Sequence, residues 1–221
     1  HRDLHSFPTR RSSDLEGNWE AAIAKCDEIL SADTENTAAL MLRAQAREGN
    51  SQPYRAIADY SEVLRLEPEN AQACLRRGVL YRQSGLYDKA RSDFTEVIRL
   101  NPGDPQAYRE RGLTRLHHSE LRGALADLTE AILLNPGDAA IYKQRGRVFE
   151  KRGDLESALA DATRAIELNP SDADAHCLRG IIKRNSGRPN EAIDDFTEAI
   201  RLNPNSAAAY KLRAESFGKV N

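Results

Sequence analysis

Cysteine is scarce in this sequence of 221 residues, which has only Cys26, Cys74 and Cys177. An odd number without a CxxC pair argues against a disulfide framework and offers no zinc-ligand spacing, and free thiols favour a reducing compartment. Glycine-rich phosphate loops and nucleophile elbows are missing too. No apolar run reaches the roughly 18 residues that a membrane-spanning helix needs. The sequence therefore offers no motif for catalysis, for a cofactor or for a metal.

An excess of charge of one sign is also missing. Lys and Arg number 32, and Asp and Glu number 34, so the formal net charge is −2. Proteins that bind nucleic acid usually neutralise phosphates with surplus basic residues. We therefore expect no nucleic-acid partner. Binding of nucleic acid through a basic groove on the protein surface stays as a weaker alternative, and it predicts a steeply salt-dependent affinity for oligonucleotides.

A fixed period organises most of the sequence. Leu-(Asn/Glu)-Pro triplets recur every 34 residues, ending at Pro68, Pro102, Pro136, Pro170 and Pro204. Such a period indicates stacked copies of one small unit. Opening the first complete unit at Thr37 gives full repeats over 37–70, 71–104, 105–138, 139–172 and 173–206. A half-repeat over 16–36 precedes them, and a terminal half-repeat over 207–221 follows.

Each unit carries the signals of two short helices. Its last position holds a residue that caps helix N-termini: Asn36, Asn70, Asp104, Asp138, Asp172 or Ser206. A second break falls in the middle of the unit, at Gly17, Ser51, Gly85, Ser119, Gly153 and Gly187. Helices of about 14 residues are marginal in isolation. Each unit is therefore predicted to be a helical hairpin that its neighbours stabilise.

Small residues recur where the two helices would approach closely. One set is Gly78, Gly112, Gly146 and Gly180, with Ala44 and Ala214 as variants. Another is Ala22, Ala56, Ala90, Ala124, Ala158 and Ala192, and four residues after each of these comes Cys26, Tyr60, Phe94, Leu128, Ala162 or Phe196. His176 takes the position of Tyr108, Tyr142 and Tyr210, so we expect a packed aromatic substitute rather than a metal ligand.

By its period, its small and aromatic positions and its closing proline, residues 16–221 resemble the tetratricopeptide repeat (TPR) family. The resemblance implies an all-α, right-handed superhelical solenoid of antiparallel helix hairpins. It also implies a concave groove, lined by the first helix of each repeat, that binds a peptide or a partner helix. On that mapping the candidate binding residues are Gln72, Arg76, Val79, Arg82, Arg109, Leu113, Lys143, Arg147, Lys151, Ile181 and Arg184.

The predicted groove is mildly basic. From Met41 onward this face carries nine basic and five acidic residues, with apolar patches between them. That balance suits a protein or peptide with acidic and aliphatic side chains, although an ordinary solvated face of mixed charge is an equal alternative. Some family members hold a terminal carboxylate with a lysine and an asparagine four residues apart. Lys143 with Arg147, and Lys211 with Glu215, do not match that pair.

The predicted function is a non-catalytic protein-interaction scaffold without a cofactor. The alternative is a targeting or substrate-recruiting arm of a larger enzyme whose catalytic domain lies outside this sequence. The chain is expected to be a monomer, or to self-associate weakly through its uncapped ends.

One departure from the family is systematic. Arginine precedes the small residue of each first helix, at Arg43, Arg77, Arg111, Arg145, Arg179 and Arg213. Aspartates recur at the same period on the second helix, at Asp59, Asp93, Asp127, Asp161 and Asp195. Because the two sets face each other across an antiparallel hairpin, we predict a partly buried, bidentate Arg–Asp pair in each repeat. A basic ladder for binding is the alternative.

Residues 1–15 do not follow the pattern. Their sequence, HRDLHSFPTRRSSDL, resembles the forward translation of a common sequencing adapter. We expect an adapter-derived, disordered segment outside the fold, with genuine sequence starting near Glu16. A natural tail rich in Ser and Arg is the alternative. The phase of the repeat would place a leading helix in this region.

Overall fold

The computed structural model describes the backbone of residues 12–218 and the side chains of residues 18–218, and over this range it contains twelve helices and no strand. The helices are α1 (Ser12–Ala32), α2 (Thr37–Gly49), α3 (Pro53–Leu66), α4 (Ala71–Gln83), α5 (Tyr87–Leu100), α6 (Pro105–His117), α7 (Leu121–Leu134), α8 (Ala139–Arg152), α9 (Leu155–Leu168), α10 (Ala173–Asn185), α11 (Pro189–Leu202) and α12 (Ala207–Phe217). The predicted all-α class of hairpin repeats is confirmed.

The chain forms two compact units. Unit 1 ends at Asn101 and holds α1–α5, and unit 2 begins at Pro102 and holds α6–α12. Within each unit every helix packs against the next one along the chain. In unit 2 the first helices of successive hairpins (α6, α8, α10 and α12) also contact one another. They therefore form a continuous layer within that unit.

Side chains cap the first helix of every hairpin, as predicted. Asn36, Asn70, Asp104, Asp138, Asp172 and Ser206 each accept a hydrogen bond from a backbone N–H in the helix that follows. Pro53, Pro105 and Pro189 are the first residues of their helices, where a missing N–H breaks no helical hydrogen bond.

The mid-repeat breaks are left-handed turns. Five of the six predicted positions have positive φ: Ser51, Gly85, Ser119, Gly153 and Gly187, with φ between 54° and 82°. The predicted break at Gly17 is wrong, because this residue lies inside α1. Among the described residues no helix precedes α1 for it to fold back on, and the helix simply continues.

The start of α1 also bears on the segment over residues 1–15 that was expected to be disordered. Ser12–Leu15 are helical, which corrects that expectation for these four residues. Residues 1–11 lie outside the described part of the chain, and so do residues 219–221 of the terminal half-repeat.

The glycines of the first helices permit close packing of the second. A Cβ added at Gly180 would lie 2.7 Å from Cε1 of Phe196, and one at Gly78 would lie 2.8 Å from the same atom of Phe94. The contact is looser at Gly146, where the nearest atom would be the carbonyl oxygen of Ala158 at 3.4 Å. Tyr60, Phe94, Leu128, Ala162 and Phe196 are fully buried opposite these positions and form the centre of each hairpin.

Candidate functional site

An arginine of the first helix and an aspartate of the second, 16 residues later, join the two helices of each complete hairpin. The guanidinium donates from Nε and Nη2 to both carboxylate oxygens, at 2.6–3.1 Å. We call these pairs the clasps: Arg43–Asp59, Arg77–Asp93, Arg111–Asp127, Arg145–Asp161 and Arg179–Asp195. The aspartates are only 3–6% exposed. The predicted bidentate pair is confirmed five times, and these arginines are bound internally rather than forming a ladder for a partner.

In the clasps of Arg77 and Arg145, the remaining nitrogen of the guanidinium reaches the preceding hairpin. Nη1 of Arg77 donates to Oγ of Ser61 at 3.1 Å, and Nη1 of Arg145 donates to Oγ1 of Thr129 at 3.2 Å. Both hydroxyls belong to the second helix of the hairpin before. Each of these clasps therefore joins three helices and couples neighbouring repeats.

Successive clasps differ in the residue that lies one helical turn after the arginine. Arg47, Arg115 and Lys183 stand there in α2, α6 and α10, and each reaches the same aspartate as the clasp arginine, at 2.6–2.9 Å. In α4 and α8 the position holds Tyr81 and Phe149, whose ring centroids lie 5.6 and 5.7 Å from Cζ of the clasp arginine. A second cation and an aromatic ring therefore alternate along the chain.

In unit 1 the predicted binding residues lie on α4. Gln72 and Arg76 are exposed, whereas Val79 and Arg82 are half-buried. Nη1 of Arg76 lies 3.6 Å from Oε2 of Glu48 on α2. Glu48 also accepts a hydrogen bond from the hydroxyl of Tyr60, and burial together with this bond raises the pKa of Tyr60. Part of the positive charge on this face is therefore neutralised within the unit.

In unit 2 the predicted binding residues lie on α6, α8 and α10, and α8 contacts both of the others. Two of the cations pair with aspartates that also cap helices. Nζ of Lys143 lies 2.6 Å from Oδ2 of Asp172, and Nη1 of Arg109 lies 3.7 Å from Oδ2 of Asp138. Nη2 of Arg109 also donates to the buried Glu110 at 3.0 Å. The sequence reasoning missed these pairs, although each acid follows its base by 29 residues and so recurs in phase.

The charge of Lys143 acts on the carboxyl that it contacts. Burial of Asp172 opposes ionisation, but the hydrogen bond and charge of Lys143, with the backbone N–H groups of Asp174 and Ala175, outweigh burial and lower the pKa of Asp172. Arg184 is likewise paired, since its Nη1 lies 2.8 Å from Oε2 of Glu215 on α12. These cations are therefore held by the protein itself.

Two predicted cations are different. Arg147 and Lys151 lie one turn apart on α8, both are exposed, and neither forms an ion pair with any side chain of residues 18–218. At the position of Arg147 in the repeat, α6 carries Leu113 and α10 carries Ile181, and both are half-buried. A band that runs apolar, basic, apolar therefore crosses three adjacent helices. We call these four residues the α8 band.

The thiols and His176 are structural. Cys26 and Cys74 are buried, as expected for core positions, and burial raises the pKa of Cys74 to about 11. Burial raises the pKa of Cys177 as well. The ring of His176 is buried, with Nε2 3.1 Å from the carbonyl oxygen of Pro170. Within the described part of the chain, no group of three or more His, Cys, Asp or Glu side chains could hold a metal ion.

No helix of the described part has the length and hydrophobicity that crossing a bilayer requires.

Comparisons with known proteins agree with this architecture. A search of curated protein sequences found no match. Among solved structures the chain is similar to YrrB, described as a TPR protein with an unusual peptide-binding site, with 22% identity, a TM-score of 0.68, and coverage of 86% of this chain and 97% of that one. It is also similar to MamA from Desulfovibrio magneticus RS-1, with 21% identity, a TM-score of 0.72, and coverage of 77% and 97%. For pilF of Pseudomonas aeruginosa the identity is 18%, the TM-score 0.76 and both coverages 90%.

The family models decide the assignment. Tetratricopeptide repeat models match residues 41–105, 109–173 and 173–206, which is well over half of the chain. These ranges contain all five clasps and most of the length of every complete hairpin. The chain therefore belongs to the tetratricopeptide repeat family.

Proposed function

We propose that this protein is a protein-interaction scaffold that binds a peptide or a partner helix with acidic and aliphatic side chains on the first-helix layer of unit 2. Membership of the TPR family and the solved structures of TPR proteins support the scaffold role. The α8 band supports the more specific part, because its two cations have no acidic partner among residues 18–218, while the other predicted cations of unit 2 are paired.

The chemistry of the band favours a particular ligand. Arg147 and Lys151 attract a carboxylate, and Leu113 and Ile181 on either side offer apolar surface to flanking aliphatic groups. A peptide bound across α6, α8 and α10 could satisfy both at once. An acidic side chain would then give orientation and association rate, and the apolar contacts would supply much of the free energy.

Selection of display peptides tests this proposal. A library of random 12-residue peptides would be selected on the full chain, and the recovered peptides would be measured by fluorescence anisotropy. We expect enrichment of Asp or Glu beside Leu, Ile or Val. Arg147→Glu with Lys151→Glu should weaken these peptides at least about tenfold, since like charges would replace attraction.

The matched control reverses two cations elsewhere. Arg122 and Arg152 are exposed, form no ion pair among the described residues, and line a depression that includes none of the predicted binding residues. Arg122→Glu with Arg152→Glu changes the net charge equally and should leave binding unchanged. Peptides that bind equally to both double variants would contradict the α8 band as the site. Gln72, Arg76, Val79 and Arg82 on α4 would then be the next surface to test.

A further inference from the structure

A depression of about 470 Å³ lies on the surface of unit 2, where the turn between α6 and α7 meets the end of α8. Ser119, Leu121, Arg122 and Arg152 line it. Pockets that bind ligands in proteins usually measure roughly 300–1,000 Å³, so the depression is large enough for one. No residue of the α8 band lines it, and it is therefore a separate feature of the same unit.

The two arginines of the depression carry charge that the protein does not neutralise. Both are exposed, and neither forms an ion pair with any side chain of residues 18–218. The neighbouring acid, Glu120, has its Oε2 4.0 Å from Nε of Arg115. Within the same described range the hydroxyl of Ser119 makes no hydrogen bond, so it can donate to a ligand. The depression therefore offers two guanidinium groups and a hydroxyl to an anion.

Both arginines are also departures from the repeat. In the other complete repeats the position of Arg122 holds Tyr54, Asp88, Glu156 or Asn190, and the position of Arg152 holds Asn50, Ser84, His118 or Ser186. The hairpins therefore fold without a lysine or arginine at either position. The two departures belong to neighbouring repeats, 105–138 and 139–172, and they line one depression.

We propose that this depression binds the phosphate group of a phosphorylated serine or threonine on a partner protein. A phosphate dianion neutralises both arginines, whereas a carboxylate neutralises only one. Each guanidinium can also donate two parallel hydrogen bonds to phosphate oxygens. The inference extends the proposed scaffold role to a second contact, and it does not depend on the α8 band.

The shape of the depression favours a group that a larger partner presents. The depression is open to solvent and its arginines are exposed, so a small free molecule would stay largely hydrated there. A phosphorylated side chain belongs to a larger surface, and contacts made by the rest of that surface offset the cost of association.

The probe is N-acetyl-O-phosphoserine methylamide, titrated into the isotope-labelled full chain and followed by NMR. We expect saturable shifts of the backbone amides of Ser119, Arg122 and Arg152. N-acetylserine methylamide should cause none of them. The aspartate analogue should bind at least about fivefold more weakly, because it carries one negative charge instead of nearly two. Arg122→Gln with Arg152→Gln should weaken binding of the phosphorylated probe at least about tenfold, because the charge-assisted hydrogen bonds are lost.

A matched control neutralises two cations elsewhere. Arg55 and Lys89 are exposed and lie in the first turns of α3 and α5, so Arg55→Gln with Lys89→Gln changes the net charge equally. This variant should bind the probe as the unaltered chain does. Arg147→Gln should do so too, which lets this proposal and the α8 band fail separately. The display peptides carry no phosphate, so reversing the arginines of the depression is still expected to leave them unaffected.

Each outcome decides the proposal. An absence of saturable shifts, equal shifts with the unphosphorylated probe, or equal binding to Arg122→Gln with Arg152→Gln would overturn it. The spectrum of the variant shows whether it is folded. If it is not, Arg152→Gln alone serves, and the proposal then requires this variant to weaken the probe. Inorganic phosphate is titrated in parallel: tighter binding of inorganic phosphate than of the probe would show that the depression takes a free anion, and would also overturn the proposal.

Discussion

Removing a clasp aspartate should destabilise unit 2 by an amount that depends on how many cations it leaves behind. Asp127 accepts from Arg111 at 2.7 and 3.1 Å and from Arg115 at 2.7 Å, so Asp127→Ala leaves two guanidinium groups without their carboxylate. Asp161 accepts from Arg145 at 2.8 and 2.9 Å. Asp161→Ala therefore leaves one guanidinium, which keeps two aromatic rings within 5.9 Å.

The magnitudes follow from burial. Breaking a buried ion pair from one side costs about 3–5 kcal/mol. The side chains of Arg111 and Arg115 are 14% and 24% exposed, so some hydration returns and the cost moves to the lower end of that range. We expect a loss of about 3 kcal/mol for Asp127→Ala, including repulsion between the two cations. For Asp161→Ala we expect about 2 kcal/mol, because only one cation loses its carboxylate and two rings lie beside it, whereas Arg111 has one ring.

Urea unfolding followed by circular dichroism measures both free energies, and hydrogen exchange reports which hairpins open, since repeat arrays need not unfold in one step. Glu130→Ala on α7 is the control, and it should change stability by less than about 0.5 kcal/mol. The double substitution Arg111→Met with Asp127→Leu should cost less than Asp127→Ala alone, because it also removes one of the two cations that Asp127 neutralises. A cost below about 1 kcal/mol for Asp127→Ala, or a larger cost for Asp161→Ala, would refute the reasoning.

Three further outcomes are expected. Gly180→Ala should lower the free energy of unfolding by about 1–2 kcal/mol through overpacking, whereas Gly146→Ala should leave it unchanged or raise it by up to about 1 kcal/mol through helix propensity, and urea unfolding distinguishes the two. Because the pKa of Asp172 is lowered in the folded protein, its ionised carboxylate stabilises the fold at pH values above the ordinary pKa of about 3.9, and this stability is lost as the pH falls through the folded pKa. Lys143→Met should therefore raise the pKa of Asp172, measured by NMR titration of the carboxyl group. At pH 8 the native thiol of Cys74, with its raised pKa of about 11, should react with a disulfide reagent at least about a hundredfold more slowly than in urea.

The clasps could be predicted from the sequence because two oppositely charged sets recur at one period and face each other across a hairpin. The caps and the positions of the mid-repeat breaks could be predicted for the same reason: each depends on local residue chemistry that repeats. Gly17 shows the limit of this reasoning. Its phase matches that of Gly85 and Gly153, yet it lies inside the continuous helix α1, so the period alone did not predict where this helix ends.

The internal partners of the predicted binding residues were harder to foresee. Asp138 and Asp172 were read as helix caps, and a cap aspartate has a second oxygen that can also accept from a base. Which side chain reaches that oxygen depends on the spacing between neighbouring first helices, which a period alone does not give. The interval of 29 residues from base to acid can be seen in the sequence, but a solvated face of mixed charge would show the same interval without forming ion pairs.

The clasps and caps together determine which cations remain for a partner. A peptide that used Lys143 would compete with Asp172, whose negative charge also caps α10. Engaging that base would therefore break an ion pair and weaken a helix end at the same time. Arg147 and Lys151 form no ion pair with the side chains that the structure describes, so a carboxylate can bind them without breaking one. Selection among partners by charge is therefore expected to rest on α8, even though basic residues are spread over the whole first-helix layer.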